Sequence, residues 1–121
     1  MDVRSYRDLK VWQVGVELVG QVYALTRLFP KAEVFGLTSQ IQRAAVSVPS
    51  NIAEGHARGS RKEFLHFLTI SLGSLAELET QLMIGNKIGY LDAVLLDNVL
   101  RQCDELGRML RSLQRSLESK V

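Results

Sequence analysis

The stretch Gln40 to Glu79, QIQRAAVSVPSNIAEGHARGSRKEFLHFLTISLGSLAELE, decides how this chain folds. Two helical patterns meet in it at a glycine-bounded basic turn. Leu37, Ile41, Ala44, Ala45, Val48 and Ile52 recur at the helical period, which predicts one helix running through Pro49 to about Gly55. Proline lacks the amide that would bond the carbonyl of residue 45, and its ring presses on that carbonyl, so a kink is expected at Pro49. Ser47, Ser50 and Asn51 stand close enough to bond carbonyls that a kink frees, while Ala44 and Ala45 leave room for a neighbouring helix. Gly55 and Gly59 bound the turn, glycine being the residue that best tolerates the left-handed conformation at a helix end. Ser60-Arg61-Lys62-Glu63 then has the spacing of a capping box: the serine hydroxyl accepts from the amide three residues on, and the glutamate reaches back. A new helix therefore starts at Ser60.

Outward from this hairpin the patterns remain helical. A first helix is predicted from about Asp8, its expected N-cap, to Phe29, where Pro30 disfavours continuation. It carries two apolar stripes: Trp12, Val16, Val19 and Tyr23, and then Val11, Leu18, Val22, Leu25 and Phe29. Gly15 and Gly20 either weaken it or permit a close contact. The helix opened by Ser60 runs to about Ile88, with Phe64, Leu68, Leu75, Leu78 and Leu82 on its main face and Ile70, Ile84 and Ile88 nearly opposite. Gly89 closes it. Asp92 caps a last helix to about Glu118, striped by Leu95, Val99, Leu106, Leu110, Leu113 and Leu117. Short connections between four helices predict an all-α, antiparallel up-down four-helix bundle, a single domain over residues 1–121. The second stripes on the first and third helices exceed what a monomeric bundle buries, so self-association is expected ahead of the alternative that these two helices sit deepest in the bundle.

Composition bounds the chemistry. The chain has 121 residues, 46% apolar and 23% charged, an ordinary globular balance with no run apolar enough to span a bilayer. Its beginning, MDVRSYRDLK, lacks the apolar core of a signal peptide, so a cytoplasmic location is expected. Cys103 has no partner for an internal disulfide and falls on the apolar face of the last helix, where a buried, inert thiol is expected. With His56 and His66 it makes too small a set for zinc, and no metal or other cofactor is predicted. A net charge of +2 is too small by itself to argue for nucleic acid, so placement of charge matters more than its total.

Three constellations carry charge. The basic turn holds His56, Arg58, Arg61, Lys62 and His66, opposed in sequence by Glu63; its second half is a helix N-terminus, where free amides and the dipole favour an anion such as phosphate. Arg43, Ser47, Asn51 and Glu54 share one side of the second helix, and with Glu77 and Glu79 they are expected to form a structural polar network across the hairpin, Arg43 or Asn51 serving a partly buried Glu79. Carboxylates two residues apart diverge on a helix and make a poor acid–base pair. Arg101, Arg108, Arg111 and Arg115 form a row opposite the leucine stripe of the last helix, interleaved with Asp97, Asp104 and Glu118 as on an exposed helix face. No nucleophile arrangement, phosphate-cradling loop or dinucleotide glycine pattern is present, and no enzyme is predicted.

The blocks YRDLKVWQ (6–13), FGLTSQIQRAAVSVPSNIAEG (35–55), RGSRKEF (58–64) and GSLAELETQL (73–82) together resemble the four-helix-bundle proteins encoded in intervening sequences of bacterial 23S rRNA genes. The resemblance covers nearly the whole chain in order; His56 stands where that family's pattern has an aromatic residue. It implies a bacterial homopentamer with no established enzymatic activity, similar to the accessory proteins of diversity-generating retroelements, basic pentamers that bind nucleic acid and a reverse transcriptase. The expectation is a non-enzymatic accessory protein contacting RNA or DNA phosphates through Arg58, Arg61 and Lys62, with His66, Arg43, Arg111 and Arg115 contributing less. The competing expectation is a protein-interaction scaffold that binds a protein partner through its apolar faces and no nucleic acid.

Overall fold

Ser60 opens the central hairpin as its spacing predicts: its hydroxyl accepts from the Glu63 amide at 3.1 Å. A computed structural model describes residues 5–119, and among these the chain forms four α-helices and no strand. They are α1 (Lys10–Thr26), α2 (Leu37–Ala57), α3 (Arg61–Lys87) and α4 (Ala93–Glu118), with short 3₁₀ turns at Tyr6–Asp8 and Lys31–Glu33. Asp92 caps α4 through its Oδ1, which accepts from the Leu95 amide at 2.9 Å. Gly89, at φ +89°, ends α3 in a left-handed turn whose amide bonds the Asn86 carbonyl, while the Tyr90 amide returns to Gly85 at 2.8 Å.

The start of α1 differs from expectation. Asp8 lies in the 3₁₀ turn, capped by the Ser5 hydroxyl, and Leu9 precedes α1 with no side-chain cap. The far end also closes early: the Leu28 and Phe29 amides bond Leu25 and Thr26, three residues back, so α1 tightens before Pro30.

Each helix packs beside its sequence neighbours, and α4 closes back on α1. The core they share includes Val22, Ile41, Ala45, Val48, Ile52, Leu68, Leu78, Leu82, Leu106 and Leu110, all fully buried. α2 continues as helix through the buried Pro49, and α1 meets it there at Gly15, where a methyl group would lie 3.3 Å from the proline Cβ. Gly20, by contrast, faces open space. On α3 the fully buried Ser71 donates its hydroxyl to the Val48 carbonyl at 2.9 Å. The Asn51 amide donates to the Ser47 carbonyl at 2.8 Å, and the Ser47 hydroxyl pairs with Ser74. Of the two stripes of α1, Val11, Leu18 and Val22 turn inward, while Val16 and Tyr23 stay exposed; Ile70, Ile84 and Ile88 are exposed on α3.

Candidate nucleic-acid interface

The basic turn is held by its own ends. Arg58 follows the last residue of α2 and lies one helical turn after Glu54, a spacing that brings the two side chains together. Its guanidinium meets Glu54 at 2.8 Å and Glu63 at 3.6 Å, and it sits over the Phe67 ring, 5.0 Å from the centroid. These carboxylates raise the Arg58 pKa, Glu54 foremost. Glu54 therefore opposes Arg58 along with Glu63, the carboxylate that stands out in the sequence of the turn. Arg61 and Lys62 occupy the exposed first turn of α3, and His66 is exposed one turn further on. His56 packs edge-on to Phe64, with the ring centroids 5.6 Å apart.

The far end of α4 comes alongside this turn. Gln114 Nε2 donates to the Thr69 hydroxyl at 3.0 Å, in the third turn of α3, and Arg115 beside it in sequence is exposed. Arg111 takes a different course: its Nη1 lies where a methyl group on Gly107 would come within 3.3 Å. It lines a cleft of about 390 Å³ between α3 and α4 with Glu79, Cys103, Asp104 and Arg108.

Burial first, and then the neighbouring Asp104, push the Glu79 carboxyl above its ordinary value, while Arg111 acts in the opposite sense. Burial, with the same two carboxylates, pushes the Cys103 thiol up to about 12, which leaves it inert as a nucleophile. A carboxyl raised on folding binds its proton more tightly in the native state, so stability falls as pH rises through the interval between the unfolded and folded pKa values. Glu79→Gln is expected to remove that fall. Urea melts at several pH values should show the variant more stable than wild type at neutral pH, by less than about 1 kcal/mol because the cleft is open to solvent, and no more stable in acid.

The other polar residues do not converge on Glu79. Asn51 is spent on Ser47, and Glu54 on Arg58. Arg43 and Glu77 line a separate cleft between α2 and α3 with Ser39 and Gln81. Helical spacing places Glu79 beside the apolar face but does not say which neighbour it meets; that neighbour is α4. Among the pairs the sequence did not foresee are Ser71 with Val48 and the Tyr90 hydroxyl donating to Glu33 at 2.9 Å. The serine's place between Leu68 and Leu75 on the core face of α3 was the available signal for the first. Among the described residues no cluster of His, Cys, Asp or Glu is arranged to hold a metal ion. No helix among them is long and apolar enough to cross a membrane.

Four helices around one apolar core, with charge gathered at the hairpin turn, define the chain as an all-helical bundle protein. It belongs to the family of 23S rRNA-intervening sequence proteins, whose pattern it matches over residues 7–112. The chain is similar in structure to a crystal structure of a protein with unknown function from the S23 ribosomal protein family of Bacteroides thetaiotaomicron VPI-5482. The TM-score is 0.77 at 22% identity, covering 86% of this chain and 97% of the other. Nothing among curated proteins matches the chain significantly.

Proposed function

We propose that this protein is a non-enzymatic accessory factor that self-associates and binds RNA or DNA through phosphate contacts at the basic turn. The observation that carries this reading is the run of Arg58, Arg61 and Lys62 around the N-terminus of α3, with Arg115 exposed on the stretch of α4 that Gln114 ties to Thr69. Phosphate there meets guanidinium and ammonium groups, free helix amides and a favourable dipole. It also competes with Glu54 and Glu63 for Arg58, so Lys62 and Arg115 carry more of the contact than Arg58 does. The contacts position a backbone and read little sequence.

The same reading takes the bundle as antiparallel and up-down, with α2 bent at Pro49. Contacts between Ser47 and Ser74, Val48 and Ser71, and Gly55 and Phe67 support opposed directions for α2 and α3. Thr69 with Gln114 and Glu79 with Asp104 do so for α3 and α4. We take the assembly to be a homopentamer; exposed Val16, Tyr23, Ile70, Ile84 and Ile88 support self-association, since water-facing apolar rows gain by being covered. We also read the chain as kin to retroelement accessory proteins, which would make a reverse transcriptase its protein partner. One feature favours the scaffold reading instead: Phe35, 97% exposed, stands beside exposed Val34.

Purified protein titrated with single- and double-stranded RNA and DNA across a salt series tests the proposal. Binding should weaken steeply with salt, and Arg58→Glu, Arg61→Glu, Lys62→Glu together should abolish it while mass by light scattering stays that of wild type. No binding at low salt leaves the scaffold as the better account.

A further inference from the structure

We propose that the cleft where α1 hands over to α2 binds a nucleoside monophosphate, either free or as one unit of a single strand. The cleft encloses about 320 Å³ and is lined by Tyr23, Arg27, Pro30, Lys31, Val34 and Thr38 among others. That volume is at the small end of ligand sites and suits a ligand of one base, sugar and phosphate. It is separate from the basic turn, which joins the opposite ends of α2 and α3.

The walls select a flat ring carrying an anion. Tyr23 is 40% exposed, so its ring offers a face on which a base stacks, with Pro30 and Val34 completing an apolar surface. Arg27 and Lys31 are exposed at the rim and make no ion pair among the described residues. The carboxylate nearest them in sequence, Glu33, has both oxygens committed elsewhere: one accepts from the Leu37 amide at 3.0 Å, the other from the Tyr90 hydroxyl at 2.9 Å. The cation pair is therefore open to a phosphate, which Arg27 can grip through two N–H groups.

Thr38 supplies an independent observation in favour of a ligand site. Thr38 is about nine-tenths buried, and its hydroxyl has no hydrogen-bond partner. The neighbouring Thr26 shows the ordinary state: its hydroxyl donates to the Tyr23 carbonyl and accepts from Gln42 Nε2, both at 3.0 Å. A buried hydroxyl left unsatisfied costs free energy that a ligand bond recovers. Thr38 also lies in the first turn of α2, where the helix dipole favours negative charge. The base stacks on Tyr23, the phosphate meets Arg27 and Lys31, and the Thr38 hydroxyl bonds the sugar–phosphate between them.

Calorimetric titration with AMP, GMP, adenosine and inorganic phosphate tests the assignment on the full chain. Both nucleotides should bind, and adenosine and phosphate should each bind at least about tenfold more weakly, each having lost either the anion or the stacking ring. Arg27→Glu with Lys31→Glu should abolish binding, and Tyr23→Ala should weaken it about tenfold; these side chains are exposed, so helicity by circular dichroism should stay unchanged. Thr38→Val should weaken it with shape conserved. Phosphate binding as tightly as AMP, or AMP binding untouched in the Arg27 and Lys31 variant, overturns the proposal. The triple variant of Arg58, Arg61 and Lys62 should bind AMP normally, so loss of strand binding there and loss of nucleotide binding here are separate results. Displacement of AMP by a short single-stranded oligonucleotide in that triple variant identifies a strand as the source of the base. Binding of AMP without displacement identifies the free nucleotide.

Discussion

Leu78→Ala is expected to destabilise the fold by about 2–5 kcal/mol, the range for removing a fully buried leucine and leaving a cavity that closes only in part. Leu78 has no exposed surface and belongs to the core that α2, α3 and α4 share with Ile41, Ala45 and Leu106. A domain of this size stands only about 5–15 kcal/mol above its unfolded state, so this single change removes a large fraction of the total. The midpoint of urea denaturation should drop with its slope unchanged. The same substitution at Leu65, half-buried on the flank of α3, should cost much less. Equal losses at the two sites would mean that the core is not where the helical periodicity of α3 places it.

Much of this fold was legible in the chain because its signals are local. A cap is decided within one turn, so Ser60 and Asp92 could be recognised from spacing, and Gly89 from its place after the last periodic residue. Asp8 failed for a local reason too: Ser5, three residues earlier, captures the chain in a 3₁₀ turn that Gln13 ties down by donating to the Arg7 carbonyl at 2.9 Å. A good capping residue already inside another turn cannot cap the next helix.

The candidate sites were less legible because they depend on which faces meet. Arg58 was found as a cation opposed by Glu63, but Glu54 was assigned to a network across the hairpin; its four-residue spacing to Arg58 was the available signal, and both carboxylates come to the one guanidinium. Glu79 was marked as partly buried, but its neighbour was sought on α2, whereas Asp104 and Arg111 come from α4, whose register no local pattern fixes. The cleft at Tyr23 and Thr38 had no sequence signature at all. It exists because α1 stops at Thr26 and the ten residues 27–36 return the chain so that Thr38 of α2, its hydroxyl unpaired, faces the same cleft as Tyr23.

Gly55→Ala is expected to lower stability by up to about 2 kcal/mol, the overpacking cost less the helix propensity gained. The added methyl carbon would lie 2.5 Å from the Phe67 Cβ and 3.3 Å from Phe64 Cδ1. The first contact is with an atom fixed to the α3 backbone, so rotating a side chain does not relieve it; α2 and α3 must separate beside the turn. Gly20→Ala supplies the opposite sign, because nothing lies within 4 Å of its added carbon. There only the gain remains, about 0.5–1 kcal/mol of stabilisation. Thermal melts of the two variants should move in opposite directions from wild type. The change at Gly55 should also reach the basic turn, because Phe67 carries Arg58 over its ring. Salt-dependent RNA or DNA binding should therefore weaken in Gly55→Ala and stay unchanged in Gly20→Ala. If Gly55→Ala melts at or above the wild-type temperature, α2 and α3 do not approach as closely at this point, and the placement of Arg58 between Glu54 and Glu63 loses its support.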